Sequence, residues 1–230
     1  MKWPNLICGT LIKRYKRFLC DVKLRNNHRV TAHCPNTGSM KGCYQPGCPV
    51  YLSRHNHPHR KLKYTLEMTD METSLVGVNT MVPNKLVKES ILEGRVKELS
   101  GCSSVRSEVP YGTSSRIDLL LEIGKQRCFV EIKNCTLVED RVAYFPDAVS
   151  SRGLKHLFEL QREVLAGNRC IMFYLIQRSD AQLFKPADHI DKDYGEALRR
   201  VFNDGVEIIV YDVNINLSEI VLNKPVPFKL

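Results

Sequence analysis

Three side chains in the second half of the chain have the types and spacing of a divalent-metal site: Asp118, Glu131 and Lys133. They sit in Arg116-Ile117-Asp118-Leu119-Leu120-Leu121-Glu122-Ile123-Gly124-Lys125-Gln126-Arg127-Cys128-Phe129-Val130-Glu131-Ile132-Lys133. Side chains alternate along a strand, so Glu131 and Lys133 share one face while Val130 and Ile132 pack on the other. Gly124-Lys125 suits a two-residue type II′ turn, with glycine at the first central position. That turn pairs Ile123 with Gln126. Counting back along the hairpin sets Asp118 opposite Glu131 and Arg116 opposite Lys133, and directly opposed residues share a face.

The register therefore predicts two carboxylates side by side with a lysine next door. Such a pair repels itself unless something compensates. A hard cation, Mg²⁺ or Mn²⁺, supplies that compensation, with carboxylates and waters as its usual ligands. Asp118 and Glu131 are the expected metal ligands, and all three residues the expected catalytic set. The metal would activate a water and take up charge on a phosphodiester. Lys133 would position or deprotonate that water and steady the phosphate. The plain alternative is an ion pair between Lys133 and a carboxylate. Glu-x-Lys alone does not outweigh it; the acid on the facing strand and the flanking helices do.

The surrounding pattern supplies the elements that hold these residues. Asn84 reads as the N-cap of a helix over 84–99. Strands follow over 105–111, 116–123 and 127–138. Ser150 or Ser151 caps a helix with an apolar stripe at Leu154, Leu157, Phe158, Val164 and Leu165. A strand over 170–176, a helix over 194–203 and a strand over 206–213 complete an α-β-β-β-α-β-α-β order. That order describes an α/β domain over 83–230 with buried central strands.

Residues 1–82 read differently. Short strands cover 11–24, 29–33, 49–52, 64–68 and 75–78, separated by turns rich in Asn, Pro and Gly. Such a pattern suggests a small β-barrel of oligonucleotide-binding (OB) type. The net charge of +9 is concentrated here: residues 1–83 hold 13 Lys and Arg against 4 Asp and Glu, and the remainder balances. A basic barrel points to nucleic acid. The expected phosphate contacts are Lys13, Arg14, Lys16, Arg17, Arg54, Arg60, Lys61 and Lys63. Tyr15, Phe18, Tyr51 and Tyr64 are interleaved as base-stacking candidates or core residues. Asn36-Thr37-Gly38-Ser39 reads as a phosphate cradle or a tight interstrand loop.

The nine cysteines are odd in number and irregularly spaced, which favours buried free thiols over a disulfide framework. Cys43-x₄-Cys48 lacks a second regular pair, so zinc is not expected. No glycine arrangement matches a nucleotide-binding loop, so no nucleotide cofactor is expected. No apolar run is long enough to cross a membrane and no leader pattern opens the chain, so a cytoplasmic location is expected.

Asp118 followed by Glu131-Ile132-Lys133 in this element order resembles the PD-(D/E)XK nuclease superfamily. The whole chain resembles the sugar fermentation stimulation protein A family, which joins an OB-type barrel to a nuclease-like domain with a mixed central sheet. The resemblance is carried by Leu11-Ile12-Lys13-Arg14-Tyr15-Lys16-Arg17-Phe18-Leu19, Cys34-Pro35-Asn36-Thr37-Gly38-Ser39-Met40 and Phe145-Pro146-Asp147-Ala148-Val149. Arg152-Gly153-Leu154-Lys155-His156-Leu157 and Pro186-Ala187-Asp188-His189-Ile190-Asp191 add to it. It implies DNA binding, a link to sugar metabolism genes, metal ligands at Asp118 and Glu131 and the lysine at Lys133. Ile117 stands where the superfamily name has proline. The superfamily often places an acid on the first helix, for which Glu89 is the candidate and Glu98 its rival. It often places a substrate-touching polar residue on the helix after the site, here Lys155 or His156, for which a helix-surface histidine is the alternative. Two functions follow: a metal-dependent DNA nuclease, or a non-catalytic DNA-binding regulator on a nuclease scaffold.

Overall fold

The computed structural model describes residues 1–112 and 115–230. Six strands build the first unit: β1 (Leu6–Tyr15), β2 (Leu19–Leu24), β3 (Arg29–His33), β4 (Pro49–Arg54), β5 (Tyr64–Asp70) and β6 (Leu75–Gly77). Their order is β3-β2-β1-β4-β5-β6, and a parallel pairing of β3 with β5 closes the first five into a barrel. β1 pairs with β2 and β4, and its register against β2 slips between Leu11 and Lys13. Such a bulge bends and twists a strand enough to turn a barrel corner. Leu11, Val22, Ala32, Val50, Leu52 and Leu66 fill the interior.

The second unit starts with α1 (Val82–Leu92) and a 3-10 turn at Lys97–Leu99, where the sequence predicts one longer helix. Gly94 takes a left-handed φ of 70° just after the helix and ends it early. Then come β7 (Cys102–Tyr111), β8 (Ser115–Ile123), β9 (Gln126–Cys135), β10 (Leu137–Glu139), β11 (Val142–Phe145) and α2 (Ser151–Leu165). After them run β12 (Arg169–Ile176), β13 (Leu183–Pro186), α3 (Lys192–Asn203), β14 (Glu207–Ile215) and β15 (Ile220–Pro225). The main sheet has the order β15-β14-β12-β9-β8-β7, with β9, β12 and β14 parallel and the flanks antiparallel. It is a mixed sheet in an α/β layer. Val130 and Ile132 pack with α1 on one face; Phe129, Met172 and Tyr174 pack with α2 and α3 on the other. A second sheet, β10-β11-β13, lies beside it. No helix among the described residues is long and apolar enough to cross a membrane.

Several contacts fasten the units together, among them Asp147 Oδ2 accepting from Met40 N–H (2.9 Å). Trp3 runs beside the β14–β15 turn, its main-chain N–H donating to Ser218 O (3.0 Å) and its indole to Asn216 O (2.9 Å). Beyond the end of β12, Arg178 is buried and donates to Gly42 O (3.0 Å) in the barrel and Thr136 O (3.1 Å) in the second unit. Asp180 holds that guanidinium through both oxygens (2.6 Å each).

Candidate active site

The site forms where β8 and β9 part. Gly124 has φ 61°, as the first central position of a II′ turn requires. The hairpin register runs from Ile123↔Gln126 to Leu119↔Val130. The pairing stops there, so the expected Asp118–Glu131 and Arg116–Lys133 pairs do not form. There the Asp118 carboxylate takes over the pairing: Oδ2 accepts from Ile132 N–H (2.7 Å) and Oδ1 accepts from Asn84 Nδ2 on α1 (2.7 Å).

Glu131 points away from its neighbour Ile132, toward α2, and is 2% exposed. Its Oε1 accepts from Lys133 Nζ (2.7 Å) and from His156 Nδ1 on α2. Arg152 Nε donates to the other ring nitrogen of His156 at 3.4 Å, while Nδ1 faces both Glu131 Oε1 and Lys133 Nζ (3.3 Å). Glu131 Oε2 is buried with no hydrogen-bond partner among the described residues. These two carboxylates have opposite electrostatics. Burial, reinforced by the Glu131 charge, pushes Asp118 up to about 6. Burial acts on Glu131 in the same sense, but Lys133 and His156 outweigh it and hold that carboxyl below its ordinary value.

Both acids open into a cleft of about 680 Å³. The first turns of α1 and α2 reach it, and Lys85, Lys88, Lys133 and Arg152 line it. Two positive helix ends and four cations therefore surround two carboxylates, an arrangement suited to an anion bridged by a cation. Glu108 also lines the cleft, at the point of β7 facing Asp118, with a left-handed φ of 55°.

The other sequence candidates divide. His156 is buried against Glu131 in the wall of the cleft, so it is not a surface histidine. Lys155 faces a separate groove with Phe158 and Arg162, within 3.6 Å of Glu159. Glu89 is half-exposed beside Lys85 (3.8 Å), outside the cleft; the face it shares with the exposed Leu92 turns outward rather than inward. Its rival Glu98 accepts from Tyr211 OH (2.9 Å), also outside the cleft. Asn84 does not cap α1. It lies inside the first turn and gives its amide to Asp118, while Met81 occupies the cap position. Asn84, Lys85, Lys88 and Arg152 are the cleft residues that sequence reasoning missed. The signal available was a helix start carrying Asn, Lys and Lys at i, i+1 and i+4.

On the barrel, the basic residues expected to contact phosphate fall into two groups, Arg14 apart. Lys13, Lys16 and Arg17 stand at the β1–β2 turn, where Lys16 and Arg17 are both left-handed. Arg54, Lys61 and Lys63 stand around the β4–β5 loop, with Arg60 donating to Thr65 Oγ1 (2.5 Å). Arg14 is different. Its guanidinium donates to Arg17 O (3.1 Å), Asn36 O (2.9 Å) and Gly38 O (2.9 Å), so it holds the 36–38 turn rather than facing a ligand. Phe18 is exposed, while Tyr15 donates to Asp21 Oδ1 (3.1 Å). Asn36 Oδ1 caps Gly38 N–H (2.8 Å), so that turn closes on itself. All nine cysteines are free thiols, seven of them buried.

Comparison with known proteins fits this two-unit layout. Residues 12–78 match the model of the SfsA N-terminal OB domain, and residues 81–219 match that of the sugar fermentation stimulation protein RE domain. Sugar fermentation stimulation protein homologs are similar over nearly the whole chain. That of Pelobacter propionicus is 51% identical over 99% of both chains, and that of Nitrosococcus oceani 48% identical over 98% of this chain and 97% of its own. The solved structure of Pyrococcus furiosus SfsA in complex with Ca²⁺ superposes with a TM-score of 0.93 at 27% identity, covering 100% of this chain and 98% of that one. The chain belongs to the sugar fermentation stimulation protein family.

Proposed function

We propose that this protein binds DNA and cleaves phosphodiester bonds with a divalent metal held by Asp118 and Glu131. The observation that carries the reading is that two carboxylates line one cationic cleft, one with a buried oxygen that no described residue satisfies. A hard cation fits this donor set. It would satisfy Glu131 Oε2 and offset the burial and the Glu131 charge that raise Asp118, and oxygen donors suit Mg²⁺, Mn²⁺ or Ca²⁺. The Pyrococcus furiosus relative is described in complex with Ca²⁺, which supports a hard-cation site in this fold.

The metal's contribution, when bound, is Lewis-acid charge for the phosphate and a more acidic water. The chain's own residues do the rest. Lys133 sits beside Glu131 with its ammonium in the cleft, placed to contact a non-bridging phosphate oxygen or the attacking water. Lys85, Lys88 and Arg152 hold the flanking backbone by charge. Exposed Lys13, Lys16, Arg17, Arg54, Lys61 and Lys63 on the barrel add contacts that position DNA without reading its sequence.

The test is incubation of end-labelled duplex, single-stranded and branched DNA with Mg²⁺ or Mn²⁺, using wild type, Asp118→Ala and Lys133→Ala. Cutting by wild type that EDTA abolishes and either substitution removes supports the proposal. Tight binding by all three proteins with no cutting of any substrate overturns the enzymatic part and leaves a DNA-binding protein on this scaffold.

A further inference from the structure

We propose that His156 is a positioning residue that presents the free oxygen of Glu131 to the cation, an inference that rests on the metal reading above. Two donors converge on the same atom. Lys133 from β9 and His156 Nδ1–H from α2 both reach Glu131 Oε1, while Oε2 receives nothing from the described residues. A carboxylate gripped through one oxygen from two elements keeps few rotamers. Glu131 is 2% exposed and His156 4%, so neither has room to swing aside. Arg152 completes the chain. Its Nε against His156 Nε2 selects the Nδ1–H tautomer, the only neutral form that donates to Glu131. Arg152 itself lines the cleft, so the same guanidinium faces the substrate side and sets the histidine.

The histidine thus acts through Glu131 and not on the substrate. Partners that orient a ligand from behind typically change metal affinity by about 10–100-fold when removed. Asn84 and Ile132 N–H do the corresponding work for Asp118, but through both oxygens. Asp118 is therefore fixed in place with neither oxygen left unsatisfied, and Glu131 is the ligand with a free oxygen, held from behind by Lys133 and His156.

The test is Mn²⁺ binding by titration calorimetry on the full chain, for wild type, His156→Ala, His156→Phe and His156→Gln, alongside DNA affinity in EDTA. His156→Phe fills the volume without the donor and keeps the comparison alive should the alanine variant fail to fold. His156→Gln restores an N–H donor. The expected result is a loss of Mn²⁺ affinity of about 10-fold or more in the Ala and Phe variants, substantial recovery in the Gln variant, and unchanged DNA affinity in EDTA throughout. Folded Ala or Phe variants with Mn²⁺ affinity within about twofold of wild type, or with DNA affinity in EDTA reduced in parallel, overturn it. Nitrogen-15 NMR of the imidazole reads the tautomer without any metal. An Nε2–H form overturns the positioning role on its own, whereas a wild type that binds no Mn²⁺ overturns the metal reading.

Discussion

Replacing Asp118 by asparagine should make the metal-free protein more stable. Asp118 in the folded protein titrates near 6 rather than its ordinary 3.8, with burial the larger cause and Glu131 the second. The sign follows directly: a carboxyl whose folded value is raised is penalised for ionising. The penalty is absent below pH 3.8, grows between 3.8 and about 6, and is complete above that. About two pH units at roughly 1.36 kcal/mol each give a ceiling of about 3 kcal/mol. Two effects reduce it. The carboxylate faces an open cleft, so solvent screens part of the repulsion. An asparagine side chain at this position can also accept only from Ile132 N–H, and the Asn84 amide must turn over to offer its oxygen, at a cost of about 1 kcal/mol. The net gain is about 1–2 kcal/mol, or roughly 3–6 °C in Tm for a chain of this size. The assay is calorimetry in EDTA at about pH 8 and about pH 4, on either side of the titration. Asp118→Asn should melt above wild type in the alkaline sample, and the gap should close in the acidic one. Equal or lower stability in the alkaline sample would refute the claim that the fold penalises an ionised Asp118.

Millimolar Mn²⁺ or Ca²⁺ should raise the wild-type Tm, by about 2.7 kcal/mol of stabilisation at a hundredfold excess over Kd, and leave Asp118→Ala unmoved in the same melting assay. Arg178→Ala should destabilise by about 3–5 kcal/mol in urea denaturation, because it leaves Asp180 unpaired and two carbonyls bare. Reversing charge at Lys16 and Arg17 together should weaken DNA binding and flatten its salt dependence, by about 0.9 in the log–log slope for each phosphate no longer neutralised. Arg14→Ala should instead lower stability with a smaller effect on that slope. Under native conditions iodoacetamide followed by mass spectrometry should modify Cys8 and Cys102 first, since burial pushes Cys20, Cys43 and Cys128 up to about 12.

The parts of this molecule legible in the sequence are those set by short-range rules. Alternation along β9 and the Gly124-Lys125 turn specify the register as far as Leu119 against Val130, one residue short of the two acids, because a hairpin's pairing is fixed once its turn is known. The Ser150 cap and the barrel strands follow from equally local signals. Charge counting failed where geometry decides. Arg14 looks like any other member of Lys13-Arg14-Tyr15-Lys16-Arg17, yet its fork lies on three carbonyls. Glu89 and Asn84 share α1, but only the tertiary approach of that helix to β8 determines which of them meets Asp118. The short strands β11 and β13 escaped because four residues are too few to show a period, and they exist by pairing across about forty residues of chain.

The fastening between the units has a thermodynamic consequence. Only Pro4 and Asn5 separate Trp3, bound at the β14–β15 turn, from the barrel's first strand, and four residues, 78–81, separate its last strand from α1. Between these short links, Arg178 ties Gly42 to Thr136. Few residues remain to absorb a hinge rotation, and melting either unit strips partners from the other. The chain should lose its structure in one cooperative transition rather than two, so that amide protons of the barrel interior and of the central sheet exchange with the same limiting free energy.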